Sequence, residues 1–93
     1  MTSARDFAQY DNDHPEVWEM FERFALDAHR SGHATYSADA VLHRVRWECG
    51  VVRRSATWKC NNNLTAYYAR KFHARHPILR GFFRTRASVA DAA

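Results

Sequence analysis

Glycine is scarce in this chain, with three in 93 residues. There is no glycine-rich phosphate loop and no Gly-x-Ser-x-Gly elbow, which removes two common routes to catalysis. Cysteine is limited to Cys49 and Cys60. Two cysteines make no disulfide framework, and the default expectation is a reduced, cytoplasmic protein. Long apolar runs are missing as well. Nothing approaches the roughly 18 residues needed to span a bilayer, and residues 1–10 lack the apolar stretch of a secretory signal. No membrane partner is expected. Lysine occurs twice, at Lys59 and Lys71, and proline twice, at Pro15 and Pro77. There is no internal repeat and no low-complexity tract.

The length fits one domain and is short for an enzyme with a deep, walled cleft. A hydrophobic fraction of 46% and a charged fraction of 26% are those of a folded chain. Phe, Tyr and Trp together make 14% of the residues, enough bulk for a compact core.

Charge is distributed unevenly. Residues 1–29 hold seven acids and two bases, a net of −5, while residues 30–93 hold twelve bases and three acids, a net of +9. Apart from the two lysines, every base is arginine, whose planar fork suits phosphate and carboxylate. Such asymmetry points to a basic surface facing a polyanion or an acidic partner. A solvated surface in an arginine-rich proteome would read the same way.

Residues 1–12 show little periodicity and read as a flexible arm. The segment Asp13-His14-Pro15-Glu16 reads as a helix start, with proline in the first turn and acids at the positive end of the dipole. Val17, Trp18, Phe21, Phe24, Ala25 and Ala28 recur at helical spacing, and Gly32 is the expected stop. Ser37 caps a second helix whose stripe is Ala38, Val41, Leu42, Val45 and Cys49, ending near Gly50. Trp47 lies nearly opposite that stripe, beside His43 and Arg44, and is expected to pack on the C-terminal segment. Residues 51–60 read as a loop with some strand character. Asn61-Asn62-Asn63 opens a third helix, stopped by Pro77, with Leu64, Thr65, Tyr68, Ala69 and Phe72 buried. Ile78 and Leu79 are expected to fold back on the core, Gly81 to Arg86 suggests a brief strand, and residues 87–93 form a flexible tail. The single helical domain is expected over 13–86.

The third helix carries the most chemistry. Opposite its buried stripe the spacing places Asn63, Ala66, Tyr67, Arg70 and Ala74, with Lys71 at the edge. Asn and Arg can contact base edges, Tyr can reach phosphate or stack, and an open helix N-terminus attracts anions. Three helices with a basic third helix resemble a helix-turn-helix outline, although about ten residues separate the second and third, which fits a winged variant better than a tight turn. A second basic cluster, Arg80, Arg84 and Arg86, interleaves with Phe82 and Phe83 in a pattern that suits strand tracking. The structural alternatives are that the asparagines only cap and that both phenylalanines fill the core.

Metal binding and catalysis find little support. Cys49, Cys60, His73 and His76 read as C-x10-C-x12-H-x2-H, far from zinc-knuckle spacing, and no metal or cofactor is expected. Asp39 and Glu48, the only acids in the folded part of the basic half, leave their helix in different directions.

The order of motifs Asp13-His14-Pro15-Glu16-Val17-Trp18 with Phe21, Tyr36-Ser37-Ala38, Arg46-Trp47-Glu48, Asn61-Asn62-Asn63, Tyr68-Ala69-Arg70, His76-Pro77 and Gly81-Phe82-Phe83-Arg84-Thr85-Arg86 resembles a family of small uncharacterised bacterial and phage or prophage proteins. That resemblance implies a stand-alone domain and suggests a mobile-element origin, and it brings no particular activity with it.

The reading is a mainly α, helix-turn-helix or winged-helix-like domain with short β-strands. Its expected function is non-catalytic nucleic-acid binding, as in a phage or prophage regulator. Asn62, Asn63, Tyr67, Arg70 and Lys71 are the expected contacts, and Arg46, Arg84 and Arg86 the expected backbone contacts. The alternative is a small protein-binding module, such as a phage-encoded inhibitor of a host defence complex, that presents the same residues to an acidic surface.

Overall fold

A computed structural model describes residues 4–52 and 64–83. The described chain is mainly helical. Four α-helices run in the order α1 (Ala4–Asp13), α2 (Pro15–Arg30), α3 (Ala38–Trp47) and α4 (Thr65–Arg75). A π-helical turn, Glu48–Val52, continues α3, and a 3-10 turn, Pro77–Leu79, follows α4.

The expected arm is a helix instead. Two large side chains in a ten-residue segment otherwise made of polar residues and alanine, Phe7 and Tyr10, sit at i and i+3 and lean on the core. The break between α1 and α2 follows from Pro15. The residue before proline is pushed out of the α region, and His14 has φ −131° and ψ 63°. Pro15 then occupies the first helical turn, where its missing N–H is not needed.

α2 buries Val17, Trp18, Met20, Phe21 and Ala25, as its spacing predicts. It closes on Gly32, whose φ of +101° is the left-handed conformation glycine adopts without strain. The N–H of Gly32 donates to the carbonyl of His29, and that of His33 to the carbonyl of Ala28, which satisfies carbonyls the helix end would leave bare.

Ser37 caps α3 as expected, its Oγ accepting from the N–H of Ala40 at 3.2 Å. Val41, Leu42, Val45 and, in the π-turn, Cys49 are buried. In α4 the expected stripe of Leu64, Tyr68, Ala69 and Phe72 is buried, with Thr65 partly so. His76, held out of the α region before Pro77 with φ −127° and ψ 73°, ends α4.

The chain then doubles back, and Phe82 and Phe83 enter the core. Their seating joins the two ends of the fold: the N–H of Tyr36 donates to the carbonyl of Phe82 at 3.0 Å, and Tyr36 and Phe83 form a single parallel bridge. That bridge is the extent of β-pairing among the described residues, so the brief strand at 81–86 is not formed as far as Phe83, and Arg84 to Arg86 lie outside the described residues. The short strands considered within 51–60 lie mostly outside them too; Val51 and Val52 belong to the π-turn. The tail at 87–93 is likewise outside.

Aromatic rings dominate the centre. Phe21 lies 5.4 Å from both Tyr68 and Phe83 by ring centroids, and Phe72 lies 5.2 Å from Phe83. Leu79 is partly buried against this cluster, but Ile78 does not fold back and is almost wholly exposed. No helix among the described residues is long and apolar enough to cross a membrane.

Candidate nucleic-acid interface

Two residues on the face of α4 expected to read nucleic acid, Tyr67 and Lys71, are engaged by α1. Tyr67 is buried, not open: Phe7 stacks on it with centroids 5.3 Å apart and planes 13° from parallel. The same Phe7 meets Tyr68 edge-on at 4.9 Å. A helical wheel for α4 alone places Tyr67 and Tyr68 on different sides, and both are covered because the core takes one side and α1 the other.

Lys71 is committed to the fold as well. Its Nζ pairs with Asp11 of α1 and stands 4.7 Å above the ring of Trp18. Arg70 is exposed, and Arg46 is partly buried on α3. Asn62, Asn63, Arg84 and Arg86 lie outside the described residues. Of the eight expected contact residues, the described part of the fold therefore leaves Arg70 pointing outward and Arg46 half-exposed.

The residue the sequence reading misplaced is Trp47. It is 56% exposed at the end of α3, where the sequence leads one to expect it packed. Its wheel position opposite the buried stripe was the available signal. His43 and Arg44, four and three residues earlier, share its face and are also exposed. Val51 and Val52 of the π-turn are exposed beyond it. The bases Arg44 and Arg46 fall in the last turn of α3, where they also complement the helix dipole, and Asp39 stands in the first turn.

The potential zinc ligands are engaged elsewhere. His73 Nε2 accepts the N–H of Phe83 at 3.1 Å, and His76 Nε2 lies 2.9 Å from Glu22. Burial, reinforced by the positive charge of Arg80, holds the His73 imidazole below its ordinary value of 6.5. Cys49 is buried in the core, and Cys60 lies outside the described residues. Among the described residues no three His, Cys, Asp or Glu side chains converge on a common point.

The acidic helices meet the basic half inside the fold. Asp11 on α1 takes Lys71, and Glu22 on α2 takes His76. Part of the charge asymmetry in the sequence is thus spent on holding α1 and α2 against α4. No protein-family model matches the chain, and neither the curated proteins nor the solved structures give a match.

Proposed function

We propose that the protein is a non-catalytic nucleic-acid-binding domain whose contact surface is centred on α3. The observation that carries this reading is the exposed Trp47 set among bases, with His43 and Arg44 one turn earlier and Arg46 beside it. Leaving a large indole in water forgoes about 2 kcal/mol or more of burial. A base stacked on such a ring returns about 1–3 kcal/mol, and neighbouring guanidiniums displace counterions from the strand. Bases continue past the π-turn in the sequence, at Arg53 and Arg54. Arg70 adds a further outward-facing base from α4.

A helix-turn-helix mode would use α4 as the reading helix. With Tyr67 stacked on Phe7 and Lys71 held by Asp11, that mode would rest on Arg70 and on Asn62 and Asn63. A surface on α3 asks less of the fold and favours unstacked strands, whose bases can reach the indole. As a small domain of this kind the protein would suit the role of a phage or prophage regulator.

The second reading, a protein-binding module, draws on the same patch, because Val51 and Val52 extend Trp47 with apolar surface. Salt separates the two. Fluorescence anisotropy with a labelled oligothymidine and a random duplex is expected to show binding that weakens steeply as salt rises. Trp47→Ala is expected to lose about 1–3 kcal/mol of strand affinity at unchanged melting temperature. An absence of binding to either nucleic acid at low salt would overturn the proposal.

A further inference from the structure

We propose that the pocket between α2 and α3 binds a phosphate monoester carried on a flat ring, as in a mononucleotide or the phosphorylated end of a strand. This inference goes beyond the stacking surface at Trp47 and does not depend on it.

The pocket has a volume of about 390 Å³ and lies where the end of α2, the 31–37 connection and the start of α3 converge. Its size is within the usual range for small-molecule sites and exceeds what inorganic phosphate needs. Phe24 of α2 forms one wall. Two guanidiniums, Arg23 from α2 and Arg44 from α3, lie over that single ring, with Cζ 5.3 Å and 5.4 Å from its centroid. The ring attracts both cations and restrains where their planar forks sit.

Two like charges lining one pocket attract an anion into it more strongly than either does alone. Among the described residues neither Arg23 nor Arg44 is paired with a carboxylate. Asp27 lines the same pocket but faces Arg30, at 3.7 Å. The contrast with α4 is informative, since Lys71 and His76 each have a carboxylate of their own. A doubly charged phosphate with three acceptor oxygens suits a pocket lined by two guanidinium forks better than a single carboxylate does.

The remaining wall supplies flat surface. His33 and Tyr36 meet edge to face with centroids 5.1 Å apart, and both line the pocket. A planar ring attached to the phosphate can lie against them. Position also matters: Tyr36 is tied through its backbone to Phe82, so this wall is anchored to the core.

The test is a titration of the ¹⁵N-labelled protein followed by NMR, with AMP, adenosine and inorganic phosphate as separate probes. AMP is expected to shift the amides of Ser31, His33, Tyr36 and Arg44, and to bind at least about tenfold more tightly than adenosine or phosphate. Arg23→Gln and Arg44→Gln remove exposed side chains and are expected to preserve the fold while losing about tenfold in AMP affinity. Arg44→Lys keeps the charge without the fork and is expected to fall between. A 5′-phosphorylated dinucleotide bound more tightly than its 5′-hydroxyl twin would identify a strand end as the source; AMP preferred over both would identify a free nucleotide. Trp47→Ala is expected to leave AMP affinity unchanged, so loss of strand binding alone does not touch this inference. Equal affinity for AMP and adenosine, no shift with any phosphorylated probe, or shifts confined to α4 would overturn it.

Discussion

Trp18 and Trp47 are the same side chain in opposite circumstances. Trp18 is buried on α2, runs nearly parallel to Tyr68 at 6.5 Å and lies under the ammonium of Lys71. Trp47 is more than half open to solvent. Large-to-small changes at a buried indole cost about 3–5 kcal/mol through lost transfer energy and the cavity left behind. At an exposed one they fall within about 0.5 kcal/mol. Urea denaturation of Trp18→Ala and Trp47→Ala is therefore expected to separate the two by several kcal/mol, with only the first shifting the midpoint. A large loss for Trp47→Ala would mean that the indole is a structural contact, and the functional reading of α3 would lose its basis. The helical wheel puts Trp47 nearly opposite the buried stripe, which agrees with its exposure; the expectation that it would be packed against another segment does not hold.

At the scale of elements, α1 is the piece that the sequence concealed. α2, α3 and α4 each announce themselves by four or more apolar residues at helical spacing, by a proline, a serine or an asparagine run at the start, and by a glycine or proline at the end. α1 has two apolar anchors, Phe7 and Tyr10, and none of its residues is buried. Its helicity is only marginal by local propensity, since isolated helices of this length are unstable in water. What holds it is tertiary: Phe7 against Tyr67 and Tyr68, and Asp11 against Lys71. Those contacts join residues about sixty positions apart, which no local pattern reveals, and they are also why Tyr67 and Lys71 read as open from α4 alone. The candidate site was legible to the extent that Arg46 and Arg70 reach the surface and was not legible where α1 covers α4. Phe7→Ala is expected to destabilise the fold by about 2 kcal/mol and to release α1 first. Hydrogen exchange would show lost protection at residues 4–13 before any loss in α2. Unchanged protection there would mean that α1 does not depend on its aromatic anchor.

Over the whole molecule, the opposed charges of the two halves do two jobs. Acids of α1 and α2 meet Lys71 of α4 and His76 just past its end, while Arg44 of α3 and Arg70 and Arg75 of α4 are exposed. The C-terminal stretch is closed differently, by a neutral imidazole. His73 Nε2 must be unprotonated to accept the N–H of Phe83, and that bond works with the Tyr36–Phe82 hydrogen bond to seat both phenylalanines against the start of α3. The charges nearest this latch are Arg80, which opposes a proton on His73, and the Glu22–His76 pair on the next turn of α4. Since folding lowers the His73 pKa below 6.5, the folded chain holds fewer protons on this group than the unfolded chain does just beneath that value. Its contribution to stability is complete above 6.5 and is lost as pH falls through the folded-state pKa. The chain has six histidines, so the effect is isolated by comparison with a variant at this one position. His73→Gln supplies an amide oxygen that can accept from Phe83 at any pH. Melting curves of the two proteins from about pH 8 to about pH 5 are expected to run together at the upper end, with the native protein falling faster below 6.5. Parallel curves over the whole range would show that the proton on His73 does not govern closure of the C-terminal stretch.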